Sequence, residues 1–459
     1  MARQSSPGIK LLFVILIGLA LSVPLLAVYA LVYDRQSQSE TARASIAAGW
    51  GGPQVMVGPV LALPYVRDEQ QNVEVNGRSE TRVVRVNDTL FLSPVRNHLT
   101  SRVVPQLLRK SIYESVLYQV ENQGSAHFAL PPDFERYGVP MSAIDFSRAE
   151  IRFGLADPRG LQANASVRVN GNAVPLLPGK GLAATNGSGF FSFVDWTGRA
   201  PMDVTYQFAA RGNDRLTFVP RGQDSRWQVQ STWPSPNFSG SFLPNQRRIN
   251  ADGFRADYAI SNLALGQAIV LTDDVRPPLD VSVNVDNIAV GEGALSQSAS
   301  VAMVETVDLY DQVNRAVKYG FLFIGFTFMA FLMFDIIANA RVAAAEYLLV
   351  GAALALFFVL LLALAEVIGF TPAYLLASGA IIGLVTTYSA AVLKSWQRAR
   401  IIAGLLTGLY AALYVLLNLE AYSLLIGSAL LFVALAAVMW ATRRIDWSAV
   451  SAQDDAVVA

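Results

Sequence analysis

The 459-residue sequence contains no cysteine and only two histidines. The lack of cysteine excludes disulfide bonds, thiol catalysis and metal sites with cysteine ligands. Lysine and arginine together number 35, as do aspartate and glutamate, so the chain has no net charge that would attract nucleic acid. It also lacks any basic run with interleaved aromatic residues. Nucleic-acid binding is therefore not expected.

Charged residues are scarce as well. They make up 15% of the chain against 53% for hydrophobic residues, which is too apolar for a fully soluble protein of this length. The excess lies mainly in the C-terminal quarter, where five apolar runs of roughly 20 residues match the length that a helix needs to cross a bilayer. None has the polar face of a soluble helix. The sequence therefore predicts five transmembrane helices within 318–444, at 319–338, 347–368, 371–393, 401–417 and 422–441.

A further apolar run, 11–32, follows Arg3 and Lys10. The alternative for this run is a cleaved signal peptide, because Val28 and Ala30 resemble a small-residue cleavage site. The run is longer than the apolar core of a signal peptide, and helix-favouring sequence continues beyond it as far as Gly49, a residue common just past a helix end. We therefore predict an uncleaved transmembrane helix at 1–33 and a helical stalk at 34–49.

The middle of the chain, 50–305, changes to short alternating runs of Val, Thr, Phe and Tyr separated by turn residues. This pattern predicts a β-rich domain, with a seam near Pro140 that would divide it into two β subunits. Asn170-Gly171 predicts a tight hairpin turn, because both residues tolerate positive φ. A short helix is predicted at 103–108, and strands are predicted at 73–86, 165–169, 204–208 and 281–285.

A second helical stalk is predicted at 306–317. Thr306 is a suitable N-cap, and Asp311 and Arg315 are spaced for an i,i+4 pair. One face of this helix is apolar, formed by Val307, Tyr310, Val313 and Val317. The stalk continues without a breaker into the membrane block, which ends before a predicted cytoplasmic tail at 445–459.

The basic residues between the apolar runs predict the orientation, because short loops that carry Lys and Arg stay in the cytoplasm. With six spans, those residues fall on one side: Arg3, Lys10, Arg341, Lys394, Arg398, Arg400, Arg443 and Arg444. The opposite turns, 369–370 and 418–421, have none. The predicted fold is a polytopic α-helical membrane protein with six transmembrane helices, both termini cytoplasmic. A large β-rich extracytoplasmic domain, periplasmic in a Gram-negative cell, is inserted between helix 1 and helix 2.

Few residues point to chemistry. His98 and His127 are 29 residues apart in the sequence, whereas a metal site needs more ligands at closer spacing. The chain has no GxSxG, HExxH or P-loop motif, and no carboxylate spacing marks a catalytic pair. We therefore predict no catalytic, cofactor-binding or metal-binding residues and no enzymatic activity. A membrane-anchored envelope hydrolase is the least favoured alternative.

Two features of the membrane block bear on transport and packing. Asp335, Glu346 and Glu366 lie near span ends, where interfacial anchoring is favoured over proton relay. Glu366, which faces the side of the β-rich domain, is the candidate for a transporter or flippase-like path. Two GxxxG patterns, 379–383 and 404–408, predict close packing between helices of one chain.

Several segments, spread over nearly the whole chain, are diagnostic of one family. They are Trp50–Gln54, Gly58–Leu61, Lys110–Glu114 with Val116 and Tyr118, Trp233–Gly240, Phe242–Pro244, Lys318–Ile324, Glu346–Gly351 and Arg443–Trp447. By these segments the chain resembles the inner membrane protein CreD family, also called the cell envelope integrity proteins. Ser111, where the family usually has glycine, and the acidic tail Asp454-Asp455 are small departures.

The resemblance implies a multi-pass protein of the inner membrane that is tied to envelope stress responses and, in some relatives, to β-lactam and colicin susceptibility. It implies no reaction or ligand. Besides the lipid bilayer, the expected partner is an unidentified envelope component that the β-rich domain binds. A transporter or flippase-like protein is the alternative.

Overall fold

The computed structural model describes residues 15–75, 78–110, 113–278, 297–303, 309–337 and 343–418, with isolated positions beyond 418. The chain divides into two compact units, one formed by 1–41 with 307–459 and the other by 42–306. The first unit is helical in its described part, and the second is built mainly of β-strands.

The helices follow the apolar runs. Among the described residues, five helical stretches are long and apolar enough to cross a membrane: Ile15–Ala48, Leu309–Leu332, Ala344–Ile368, Phe370–Val392 and Trp396–Asn418. They confirm a helix in the N-terminal run and in the first four C-terminal runs, whereas the run 422–441 lies mostly outside the described residues. The α-helices are α1 (Ser22–Ala48), α2 (Asn262–Leu265), α3 (Leu309–Lys318), α4 (Gly320–Ile337), α5 (Ala344–Ile368), α6 (Phe370–Val392) and α7 (Trp396–Asn418).

In the part that the structure describes, the β-rich unit contains two sheets. One has nine strands, in the order β13-β17-β11-β1-β5-β9-β8, with β2 added beside β1 and β16 beside β2. The other has eight, in the order β14-β15-β12-β3-β4-β10-β6-β7. The strands are β1 (Gln54–Val75), β2 (Arg78–Leu92), β3 (Arg96–Lys110), β4 (Tyr113–Phe128), β5 (Ala149–Leu155), β6 (Ser166–Val169), β7 (Asn172–Val174), β8 (Leu177–Pro178), β9 (Gly189–Val194), β10 (Met202–Asn213), β11 (Arg215–Val219), β12 (Asp224–Ser231), β13 (Pro236–Gly240), β14 (Gln246–Asn250), β15 (Gly253–Ser261), β16 (Val270–Leu271) and β17 (Ala299–Met303).

The two sheets share one apolar core. Strand β10 shows why, because its side chains alternate between buried Val204, Tyr206 and Phe208 and exposed Thr205 and Gln207. Aromatic rings of the eight-stranded sheet contact those of the nine-stranded sheet at four places. These contacts are Tyr206 with Phe153, Phe208 with Phe190, Trp227 with Phe218, and Phe254 with Phe238, all with ring centroids 5.2 to 5.7 Å apart.

Several sequence predictions within this unit can be compared with the strands. The Asn170-Gly171 turn is confirmed, since both residues have positive φ and join β6 to β7. The helix predicted at 103–108 is wrong, because that segment is part of β3 and pairs with β4 along its whole length. The strand predicted at 281–285 and the N-cap Thr306 lie outside the described residues.

The predicted seam near Pro140 does not separate the described strands. Strand β1, which precedes Pro140, pairs with β5 and β11, which follow it. Likewise β3 and β4 pair with β12 and β10 in the other sheet. Both sheets therefore draw strands from both sides of Pro140, and the described strands bury one common core.

The outer faces of the two sheets differ. A second apolar cluster, which includes Val57, Val60, Leu182, Val219 and Val275, covers part of the outer face of the nine-stranded sheet. The outer face of the eight-stranded sheet instead carries exposed polar residues, as in β10 and β12. This open face is where the β-rich unit presents a broad surface of regularly spaced side chains.

Candidate functional site

The exposed side of the eight-stranded sheet, which we call the polar face, is the main candidate for binding. Its side chains form rows across the strands because the register of each pair places them opposite one another. In one row, Gln228 lies opposite Thr100, Thr100 opposite Gln123, and Gln123 opposite Gln207. Gln207 is in turn opposite Ser166. The row presents carboxamides and hydroxyls, which both donate and accept hydrogen bonds.

A cleft of about 560 Å³ opens on this part of the polar face. It is lined by Arg168 and His98 together with Thr100, Gln123 and Gln207. Every one of these five side chains is exposed. The cleft can exchange several hydrogen bonds with a polar ligand and offers cationic or ionisable groups beside them.

A second cleft of about 420 Å³ lies on the same sheet, towards its β14 edge. Three arginines and a glutamine form a row across its floor. The register places Arg248 opposite Arg255, Arg255 opposite Gln230, and Gln230 opposite Arg102. All four line the cleft, and we call them the arginine row. The spacing of neighbouring strands puts the backbones of Arg248 and Arg102 about 14 Å apart.

Each of the two histidines on the polar face lies beside an aspartate. His127 Nδ1 lies 2.7 Å from Asp203 Oδ1, and His98 Nε2 lies 3.8 Å from Asp224 Oδ2. In the described part of the chain, no group of three His, Asp or Glu side chains is arranged to hold a metal ion. The polar face therefore brings both histidines to one sheet without bringing them together as ligands.

The segment Trp50–Gln54 follows the C-terminal end of α1 and contacts the strands of the β-rich unit, to which it belongs. The Trp50 indole donates to the carbonyl of Tyr118 (3.2 Å), and the Arg211 guanidinium lies 4.4 Å from the centre of its ring. The Gln54 carboxamide donates to the carbonyls of Asp157 (3.0 Å) and Arg211 (2.7 Å). Gly51 has a φ of 143°, and a Cβ there would lie 2.8 Å from the Arg211 carbonyl oxygen. This segment acts as a structural joint.

Asp157 completes the joint. Its carboxylate accepts hydrogen bonds from the Gly52 amide (2.9 Å) and from the Arg159 side chain (2.8 and 2.9 Å). The Arg159 hydrogen bond, with those from backbone amides, outweighs burial and lowers the pKa of Asp157 to about 2. The charged form of this carboxylate is therefore the one that the fold stabilises.

Glu366 lies at the end of α5 in the helical unit. Its side chain is 9% exposed and lies 3.9 Å from Arg35 of α1. The Tyr310 hydroxyl of α3 donates to the same carboxylate oxygen over 3.2 Å. Glu366 therefore connects three helices, and its contacts with Tyr310 and Arg35 give the carboxylate a structural role. Of the other two carboxylates, Glu346 accepts from the Ala343 amide at the start of α5 (2.7 Å), and Asp335 lies on α4.

The prediction of close helix packing at the GxxxG patterns is wrong for the described residues. Gly379, Gly383, Gly404 and Gly408 are exposed, and a Cβ at any of them would meet no other atom within 4 Å. The close approach occurs instead at Gly351 of α5, where a Cβ would collide with Leu21 and lie 2.9 Å from Phe328. The sequence pattern marks small residues but does not say which helix face has a neighbour.

The arginine row and the row formed by Gln228, Thr100, Gln123 and Gln207 were not predicted. Their members come from strands that are far apart in the sequence, and only the register of the eight-stranded sheet aligns them. A signal was available in the polar residues that alternate along single strands, such as Asp224, Arg226, Gln228 and Gln230 of β12. That alternation predicts an exposed face but not its neighbours.

Comparisons with known proteins address the chain as a whole. The family model described as "Inner membrane protein CreD" matches residues 6–448. The curated protein named "Inner membrane protein CreD" from Escherichia coli (strain K12) is 30% identical over 447 residues, which cover 94% of this chain and 92% of that protein. Among solved structures, an M1 zinc metallopeptidase from Deinococcus radiodurans covers 68% of this chain and 93% of its own. It has 10% identity and a TM-score of 0.19, a similarity too low to support any conclusion on fold or function. By the extent of the family match and the full-length similarity, the chain belongs to the inner membrane protein CreD family.

Proposed function

We propose that this chain supports the integrity of the cell envelope as a non-catalytic inner membrane protein. It crosses the membrane six times with both termini in the cytoplasm, and its β-rich unit lies in the periplasm. There the polar face of the eight-stranded sheet binds another envelope component. The helical unit serves as the platform that holds the β-rich unit at the membrane.

The polar face is the observation that carries this proposal. Two clefts open on one sheet face, and their exposed side chains are arranged by register rather than scattered. The distribution of Lys and Arg between the apolar runs supports the orientation. The role of the family in envelope integrity supports the biological context. Glu366 does not support the transporter alternative, because its carboxylate is held by Tyr310 and Arg35.

The topology can be tested with single cysteines, since the chain has none of its own. Gln207→Cys should react with a membrane-impermeant maleimide in cells with a permeabilised outer membrane. Lys394→Cys and Ala459→Cys should react only after the inner membrane is opened. Labelling of Ala459→Cys from outside would overturn the six-span arrangement, and protection of Gln207→Cys would overturn the periplasmic placement.

The role of the polar face can be tested by blocking it. Gln207→Trp places a bulky side chain on the face, and Glu135→Trp is a matched control at an exposed position outside both clefts. In cells that rely on the variant, Gln207→Trp should raise sensitivity to detergent while the protein stays at normal levels in the membrane. Equal resistance of the two variants would count against the polar face. Full resistance of cells whose chain lacks 42–306 would overturn the role of the β-rich unit.

A further inference from the structure

The arginine row has an unusual charge arrangement for four neighbouring strands. Arg248 and Arg255 are directly opposite each other on β14 and β15, a placement that repels and destabilises a strand pair. Arg102 continues the row two strands further on, beyond Gln230. The side chains of all three arginines point to the same cleft. A negative charge placed in the cleft would relieve this repulsion.

The neighbouring carboxylates neutralise the row only in part. Asp257 lies 3.8 Å from Arg255 Nε, but it also accepts a shorter hydrogen bond from Gln228 Nε2 (2.6 Å). Glu121 lies opposite Arg102 in the register, and Asp252 lies in the turn between β14 and β15. Arg102 and Arg248 nevertheless form no ion pair within the part of the chain that the structure describes. Two guanidinium groups on one cleft are therefore available to an oxyanion.

The side chains of the other cleft, the one of about 560 Å³, indicate the class of ligand. This cleft lies on the same polar face as the arginine row and is lined by Thr100, Gln123, Ser166, Thr205 and Gln207. Hydroxyl and carboxamide groups of this kind pair with hydroxyl groups of a ligand, as donors and as acceptors. A ligand that spans both clefts would carry oxyanions at one end of the contact and many hydroxyls along the other.

We propose that the polar face binds an anionic glycan of the envelope. The arginine row binds its carboxylate or phosphate groups, and the cleft beside it hydrogen bonds with its sugar hydroxyls. Arginine suits this role because its planar guanidinium donates two parallel hydrogen bonds to a carboxylate or a phosphate. The assignment rests on the proposed function, for which it names the bound component.

Binding can be measured with the full-length chain in nanodiscs of zwitterionic lipid. The probes are oligogalacturonate, which carries carboxylates, phosphomannan, which carries phosphates, a neutral malto-oligosaccharide and polyglutamate. The acidic glycans should bind more tightly than the neutral one and more weakly as salt increases, because salt screens exposed charges. The tighter of the two acidic glycans identifies the oxyanion. If polyglutamate binds as tightly as the acidic glycans or more tightly, the proposal of a glycan ligand is overturned in favour of an acidic peptide.

Variants on a single strand give a matched comparison. Arg248→Gln should weaken binding of the acidic glycan about tenfold, the effect of one charge-assisted hydrogen-bond contact. Arg247→Gln removes the same charge from the next residue of β14, whose side chain is outside the cleft lining. Arg102→Gln should repeat the loss, and Arg248→Lys should restore binding only in part.

Equal affinity of the Arg248→Gln and Arg247→Gln variants would overturn the arginine row as the binding site. An unchanged melting temperature for each variant shows that the fold is intact. Because binding is measured with purified protein, a wrong ligand class can be distinguished from a wrong proposed function. A misplaced cysteine label would contradict the topology while leaving the affinity as measured, whereas loss of glycan binding with correct labelling would refute only the ligand class.

Discussion

The ion pair between Arg221 and Asp274 provides the sharpest prediction on stability. Arg221 follows β11 and its side chain is 1% exposed, while that of Asp274 is 9% exposed. Arg221 Nη1 donates to Asp274 Oδ1 over 2.7 Å. The carboxylate also accepts hydrogen bonds from the backbone amides of Ala183 (2.7 Å) and Val275 (2.9 Å). In contrast, Arg221 Nε and Nη2 are buried and have no hydrogen-bond partner in the described structure.

This asymmetry predicts which variant costs more. Asp274→Asn leaves a buried guanidinium without a counter-charge, which is expected to cost about 3–5 kcal/mol in the free energy of unfolding. Arg221→Met leaves a carboxylate that keeps its two backbone donors, so its cost should be smaller, about 1–3 kcal/mol. The double variant should cost less than the sum of the two, because it leaves no unpaired charge.

Urea unfolding of the full-length protein in detergent can measure these energies through tryptophan fluorescence, because Trp227 lies in the core of the same unit. The exposed pair Arg85 and Asp68, whose side chains are 85% and 65% exposed at a separation of 3.8 Å, supplies the control. Asp68→Asn should change stability by less than about 1 kcal/mol. If Asp274→Asn is no more destabilising than Asp68→Asn, the buried ion pair does not hold this part of the fold.

Three further substitutions test the joint at Asp157, the carboxylate of Glu366 and the close helix contact at Gly351. Because the folded pKa of Asp157 is lowered to about 2, its contribution to stability is present above about pH 4 and lost as the pH falls towards 2. Asp157→Asn should therefore make the melting temperature of the β-rich unit depend less on pH between about pH 4 and pH 2. An unchanged pH dependence would contradict this. Glu366→Gln should lower the stability of the helical unit by up to about 1 kcal/mol and leave detergent resistance unchanged, since its partner Arg35 is 41% exposed. Loss of resistance at full stability would instead favour a transport role. Gly351→Leu should overpack its helix contact, which lowers the free energy of unfolding by about 1–3 kcal/mol or more and with it the melting temperature in detergent. Gly379→Leu has open space around it and should leave the melting temperature unchanged. Equal shifts would refute the contact.

Local patterns predicted much of the fold because they depend on neighbours in the sequence. The alternation in 204–208 sufficed for a strand, and Asn170-Gly171 sufficed for its turn. Long apolar runs were enough for helices. The helix prediction for 103–108 was wrong because Val103, Val104, Leu107 and Leu108 are spaced as on a helix face. Its pairing with β4 is a tertiary contact that overrides this local preference.

The candidate site was largely invisible in the sequence for the same reason. Arg102 and Arg248 are on strands that meet only through β12 and β15, so their juxtaposition depends on strand order and register. Glu366 was singled out by its place near a span end. Its partner Arg35 comes from the N-terminal helix, and no spacing in the sequence connects the two.

The segments that carry the family resemblance and the residues that carry the proposed binding are different sets. Trp50, Gly51 and Gln54 hold a joint, and Gly351 permits a close helix contact. Substitution of these residues would disturb the scaffold itself, whatever the protein binds. The arginine row lies outside all of these segments, so substitutions there need not disturb the fold. The scaffold and the ligand chemistry can therefore vary independently. If the arginine row alone determines the ligand, introducing these residues at the matching positions of a relative should make that relative bind the acidic glycan.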